Sequence, residues 1–126
     1  MAPAERGVAT LGLGQGLAGD GEDGEGADQR WGRGPPARSG ADALLHSSAL
    51  AGAAAELGAD GAYFRVHHFA RQLGSPFPLL AAVGAKTKRI EIGTAVIDMR
   101  YENPLYMAED AGAADLIAGG RLQLGI

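Results

Sequence analysis

The feature that most constrains this chain is the spacing of its strand-forming segments. Apolar, β-branched or aromatic stretches begin near Ala62, Ile90 and Leu122, about 30 residues apart, which is the length of a strand, a loop, a helix and a second loop. They read "AYFRV", "RIEIGTAVI" and "RLQLGI", the second being the strongest strand signal in the chain. Between the first two, after a loop containing Pro76 and Pro78, "LLAAVGAKT" is expected to be a short helix. Between the second and third, a helix is expected over 105–118, with Pro104 at its first position and Gly119 and Gly120 closing it. An earlier helix is expected over 42–57, where Leu44, Leu45, Leu50, Ala54 and Leu57 recur at near-helical spacing. Ser39 or Asp42 is available to cap it and Gly58 to end it.

Strands that alternate with helices pair in parallel, and two architectures follow: an open doubly wound sheet or a closed (β/α)8 barrel. A barrel takes about 250 residues, so a 126-residue chain holds only about half of one. The last apolar strand ends at Ile126 with nothing to cover it. A parallel strand needs neighbours and a helical layer, so the expectation is a fragment of a larger α/β domain.

Glycine accounts for 21 residues, far above the usual share of roughly 7%, and about half of these precede Ala41. Residues 1–38 have neither strand nor helix periodicity and little apolar surface, so they are expected to be a disordered, low-complexity segment preceding a folded unit over 39–126. Within that segment Gly14, Gly16 and Gly19 of "GQGLAG" match the spacing of a dinucleotide-binding fingerprint. The fingerprint needs a helix to open at its third glycine, and "DGEDGEG" cannot supply one, so the match is read as compositional. A net charge of −4 and a pI near 5.2 argue against a nucleic-acid partner, whose recognition needs clustered Lys and Arg. Without cysteine there is no disulfide framework, thiolate zinc site or thiol nucleophile. No run is long enough to span a bilayer and no export signal opens the chain, which points to a soluble cytoplasmic protein with no membrane partner.

Chemistry in strand-helix units collects at the carboxyl ends of the strands. His67 and His68 of "DGAYFRVHHFAR" stand at one such end, and "GTAVIDMRYEN" at the next. Adjacent histidines on an extended chain point to opposite sides, whereas zinc-binding barrels place alternate histidines on one side, so no metal site is expected. Two readings stay open for the pair: hydrogen bonding to loop backbone, or a general base or proton shuttle, since imidazole titrates near neutral pH.

Taken together, "ELGADGAYFRVHHFARQ", "SPFPLLAAVGAKTKRIEIGTAVI" and "NPLYMAEDAGAADLIAGGRLQLGI" resemble, in order and spacing, the first third of the bacterial luciferase-like, flavin-dependent monooxygenases. The resemblance covers about 41–126. It implies an eight-stranded α/β barrel that binds reduced FMN or, in some branches, a reduced deazaflavin, and that acts as a homodimer. It places His67 at the family's catalytic histidine, with His68 beside it and Phe69 completing "HHF". It sets Thr94, Ala95 and Val96 against the flavin, with a non-proline cis peptide at Ala95 and Val96, and puts Phe69 and Asn103 at the substrate pocket. Glu109 and Asp110 match an acidic pair near the subunit contact, although a solvated helix face accounts for them equally well.

Three departures stand out. Val66 replaces a frequent Glu, Arg65 interrupts an apolar strand, and "GVATLGL" is too distant from Ala41 and too glycine-rich to serve as the family's first strand. The family's phosphate-binding residues follow the strand that begins at Arg121, and so fall beyond Ile126. The resulting functional expectation is oxygenation of a small organic substrate with reduced flavin and O2, a flavin reductase supplying the cofactor. The alternative is a non-catalytic partial barrel that acts by association, its alanine- and glycine-rich helices approaching another chain closely. A metal-dependent hydrolase is a third reading and is not expected.

Overall fold

A computed structural model describes residues 7–11, 39–68 and 73–126. The "GQGLAG" stretch, Phe69 and most of the glycine-rich segment lie outside the described residues. Four parallel strands form one sheet in the order β1-β2-β3-β4: β1 is Val8–Leu11, β2 Gly61–Phe64, β3 Glu91–Thr94 and β4 Leu122–Gln123. Helices α1 (Gly40–Glu56), α2 (Phe77–Lys86) and α3 (Pro104–Ala118) lie in the successive connections. Strand order equals chain order, so the reversal that defines a doubly wound sheet does not occur among these four strands. Among the described residues no helix is long and apolar enough to cross a membrane.

One expectation is corrected at once. "GVATLGL" does supply the first strand: Val8–Leu11 pairs with Gly61–Phe64 in parallel register, and Asp60 N–H donates to the Gly7 carbonyl at 2.9 Å. Distance along the chain is a weak obstacle to such pairing, because the entropy of closing a loop rises only with the logarithm of its length. The register continues as Gly61 with Glu91 and Ile92 with Leu122.

Helix boundaries follow local chemistry. The Ser39 hydroxyl accepts the Asp42 N–H at 3.1 Å and caps α1; beyond its end Gly58 takes a φ of 90°, a conformation that disfavours any side chain. The two prolines expected in a loop instead start α2: Pro76 is its N-cap and Pro78 falls in its first turn, where a missing N–H costs nothing. Pro104 opens α3, and left-handed Gly119 ends it.

The leucines of α1 are a second correction. Leu45 is 67% exposed and Leu57, the C-cap just past the helix, 89%, with Leu44 and Leu50 also outward, while Ala43, Ser47, Ser48 and Ala51 are buried. Small side chains let α1 lie close to the sheet; Ser47 returns its hydroxyl to the Ala43 carbonyl at 2.8 Å. The core is filled instead by Ala62, Phe64, Leu80, Val83, Ile90, Ile92 and Ile97, each larger side chain contributing about 1.5–3 kcal/mol through burial. The helix pair α2 and α3 also approaches through small residues: a Cβ at Gly84 would stand 2.8 Å from Ala118 Cβ and 3.0 Å from its Cα.

On the other face of the sheet, alternation brings Tyr63, Glu91 and Gly93 together. The Tyr63 hydroxyl donates to Glu91 Oε2 at 3.2 Å, and its ring lies where a Cβ on Gly93 would come within 3.0 Å. Burial, followed by the Glu91 hydrogen bond, raises the Tyr63 hydroxyl above its ordinary pKa.

Sequence patterning does not disclose the tie at the amino-terminal end of the sheet. Arg121, just before β4, directs Nε to the Ala118 carbonyl, Nη1 to Thr87 Oγ1 and the Ile90 carbonyl, and Nη2 to the Gly84 and Thr87 carbonyls. All five guanidinium donors are used. Replacing Arg121 by Ala should lower stability by about 3 kcal/mol or more, because several part-buried carbonyls lose charge-assisted partners. Lys should rescue little of this, having no planar fork; midpoints of urea unfolding followed by circular dichroism check both variants. Gly84→Val should cost about 1–3 kcal/mol by overpacking, and Ala118→Gly should recover part of that loss in a double-mutant cycle by the same measurement.

Candidate functional site

The carboxyl ends of β2 and β3 open into a cleft of about 460 Å³ lined by Arg65, Val66, His67, His68, Ala95, Val96, Asp98, Arg100 and Tyr101. Two segments that are distant in sequence build it, and each is held by backbone bonds. The His67 N–H donates to the Leu73 carbonyl at 3.0 Å, closing the loop after β2. The Ala95 N–H donates to the Phe64 carbonyl and the Ile97 N–H to the Gly125 carbonyl, both at 2.8 Å. Between those anchors the Ala95–Val96 peptide is cis, as the resemblance implied. Val96 is 55% exposed and, with Ala95, presents a small apolar wall to the cleft.

Thr94 does not line this cleft. It is buried, and its hydroxyl donates to the Gly125 carbonyl at 2.9 Å while accepting the Gly125 N–H at 3.0 Å. That reciprocal pair straps the end of β3 to the segment after β4. Gly125 has no room for a side chain there, since a Cβ would run into the Thr94 carbonyl oxygen. Asn103 is likewise structural: it is the N-cap of α3, its Oδ1 accepting the N–H groups of Leu105 at 3.0 Å and Tyr106 at 3.4 Å. Glu109 and Asp110 are exposed on α3, away from the cleft.

The two histidines have different surroundings. His68 is largely enclosed, with Nε2 3.1 Å from Glu102 Oε1 and its ring tilted against Tyr101 at a centroid distance of 5.5 Å. His67 is half-buried and lines the cleft. The carboxylate nearest an imidazole of this pair is therefore that of Glu102, and it lies against His68.

Across the cleft, Asp98 accepts from Arg100 with both oxygens, Nη2 to Oδ2 at 2.6 Å and Nε to Oδ1 at 3.0 Å. Its Oδ1 also accepts the Arg100 backbone N–H at 3.0 Å, capping the 3-10 turn Met99–Tyr101. The Arg100 side chain, then that backbone bond, lower the Asp98 carboxyl to about 2, so it stays charged throughout the neutral range. Arg100 also stands over the Tyr101 ring, 5.9 Å from its centroid. Among the described residues no three His, Asp or Glu side chains converge where a metal ion could sit.

The structure thus gathers His67, His68, Ala95 and Val96 around one cavity, while Thr94 and Asn103 brace its edges. Asp98, Arg100, Tyr101 and Glu102 were missed as individual participants. Their signal was the dense polar and aromatic run "DMRYEN" directly after a strand end, where binding residues concentrate in folds of this class.

With this geometry established, comparison with known proteins gives a consistent picture. The family model described as luciferase-like monooxygenase matches residues 10–126. The chain is 34% identical over 86 residues to the uncharacterized protein YwcH of Bacillus subtilis, covering 67% of this chain and 26% of that protein. It is 30% identical over 94 residues to the alkanal monooxygenase alpha chain of Photorhabdus luminescens, covering 73% and 26% respectively. Among solved structures, the oxygenating constituent of 3,6-diketocamphane monooxygenase from Pseudomonas putida, in complex with FMN, superposes with a TM-score of 0.67 at 26% identity, covering 72% of this chain and 26% of that one. The chain therefore spans about a quarter of the length of these relatives. On the match of sequence and fold alike, it belongs to the luciferase-like monooxygenase family.

Proposed function

We propose that this chain forms the first strands of an eight-stranded α/β barrel that oxygenates a small organic substrate with reduced FMN and O2. The observation that carries this reading is the convergence of His67, His68, Ala95 and Val96 on one cleft at the carboxyl ends of parallel strands. The site residues suit a flavin. Ala95 and Val96 offer a small apolar wall on which a flat tricyclic ring can rest, and nearby side chains provide polar groups at its edge.

Bound reduced FMN would supply the electrons for oxygen activation. His67 would take up or return a proton at its imidazole within the cleft. Glu102 and Tyr101 would hold His68 as a fixed neighbour, and the tyrosine ring with Val96 would exclude water from the reacting region. A separate flavin reductase would deliver the cofactor, in keeping with a relative described as an oxygenating constituent. A reduced deazaflavin is the alternative cofactor. Phe69 is proposed for the substrate pocket, and Asn103 for its rim by way of the α3 cap. Glu109 and Asp110, exposed on α3, are proposed to reach a subunit contact in a homodimer.

One observation favours a second reading, association without catalysis: Leu45 on α1 is 67% exposed and Leu57, just past its end, 89% exposed, apolar surface that another chain or the rest of a barrel could cover. Flavin titration decides between them. The purified chain should bind FMN, read by fluorescence quenching, with a deazaflavin titrated in parallel to fix the cofactor type. Val96→Asp should weaken that binding by about tenfold or more, because it places a charge against an aromatic face. A folded chain that self-associates in sedimentation yet quenches no flavin would replace the catalytic reading with the associative one.

A further inference from the structure

We propose that Arg65 makes the cleft selective for an organic substrate that carries a carboxylate. This rests on the reading above only in taking the cleft as the place where substrate binds. Arg65 immediately follows β2, whose last residue, Phe64, pairs with Thr94 and accepts the Ala95 N–H. Arg65 therefore stands beside Ala95, at the start of the apolar wall. Phe64 and Val66 are buried in the helical layer, so alternation turns Tyr63, Arg65 and His67 the other way. Both Arg65 and His67 line the cleft.

The charges around the cleft isolate one of them. Asp98 and Arg100 satisfy each other through both carboxylate oxygens. Glu102 is engaged by His68, and Glu91 by Tyr63. Arg65 has no hydrogen bond or ion pair with any described residue, and it is exposed into a concave site. A general basic surface does not account for it, because the chain carries a net charge of −4. Arg65 is exposed just past the end of β2, and its planar fork matches the two oxygens of a carboxylate.

A phosphate also suits that fork, and FMN carries one, so the test must separate the two sources. Straight-chain ligands of equal length ending in a carboxylate, an aldehyde or an alcohol are titrated calorimetrically into the purified chain, with and without FMN. FMN and riboflavin are titrated separately. The carboxylate should bind about tenfold tighter than the alcohol, and the advantage should shrink as salt is raised. Arg65→Gln should abolish the advantage and Arg65→Lys should keep part of it, with circular dichroism and FMN affinity unchanged. Equal affinity for carboxylate and alcohol, or no carboxylate binding, overturns the proposal. So does an Arg65→Gln variant that loses FMN affinity but retains riboflavin affinity, which would assign the guanidinium to the cofactor phosphate. A carboxylate advantage without any flavin binding would leave this inference standing and remove the monooxygenase reading; flavin binding without the advantage would do the reverse.

Discussion

Every parallel connection in this sheet must return the chain from one end to the other, and each return leaves carbonyl groups at a helix terminus without partners of their own. Arg121 answers that requirement for two returns at once. Its donors reach the end of α2, the turn before β3 and the end of α3, so the amino-terminal end of the sheet closes around a single cation. Thr87 supports it, donating its hydroxyl to the Val83 carbonyl at 2.8 Å while accepting from Arg121. With that end set, β3 and β4 have one register, and the strap from Thr94 to Gly125 can form at the other end. The cleft wall at Ala95 and Val96 inherits its position from this chain of contacts.

Much of the architecture was legible because it depends on local rules. The repeat of strand and helix, the Ser39 cap, the proline opening of α3 and its closing glycines are all consequences of backbone conformations that particular residues favour or forbid. What failed depended on partners remote in sequence. The leucines of α1 mark its period but not its direction, since the sheet admits small side chains at this contact and leaves the large ones outside. The strand Val8–Leu11 is only four residues long, is flanked by glycine-rich sequence, and is fixed by its pairing with β2. Arg121 looks like an ordinary surface charge until its five acceptors, drawn from separate segments, are seen in one place.

The site divides in the same manner. That the segment at His67 and His68 and the segment after β3 would share a rim follows from parallel strand ends; Ala95 and Val96 are singled out within the second only by the family resemblance. The finer assignments turned on which group reached an acceptor first. Thr94 is consumed by Gly125 and Asn103 by the amides of α3, so neither side chain is directed into the cavity. The missing glutamate at position 66 left open what orients an imidazole in this chain. Glu102 stands at that task from the next loop, and for His68 rather than His67.

Tyr63 lies across Gly93 on the face of the sheet that the helices leave uncovered. Its phenol is tied to Glu91 on the adjacent strand, and its ring fills the space that a larger residue in place of glycine would have occupied. Tyr63, Arg65 and His67 follow one another along one side of the chain at the end of β2, so the phenol stands one pleat below the rim that Arg65 and His67 form. A larger residue at position 93 would displace that ring and with it the first layer of side chains beneath the cleft.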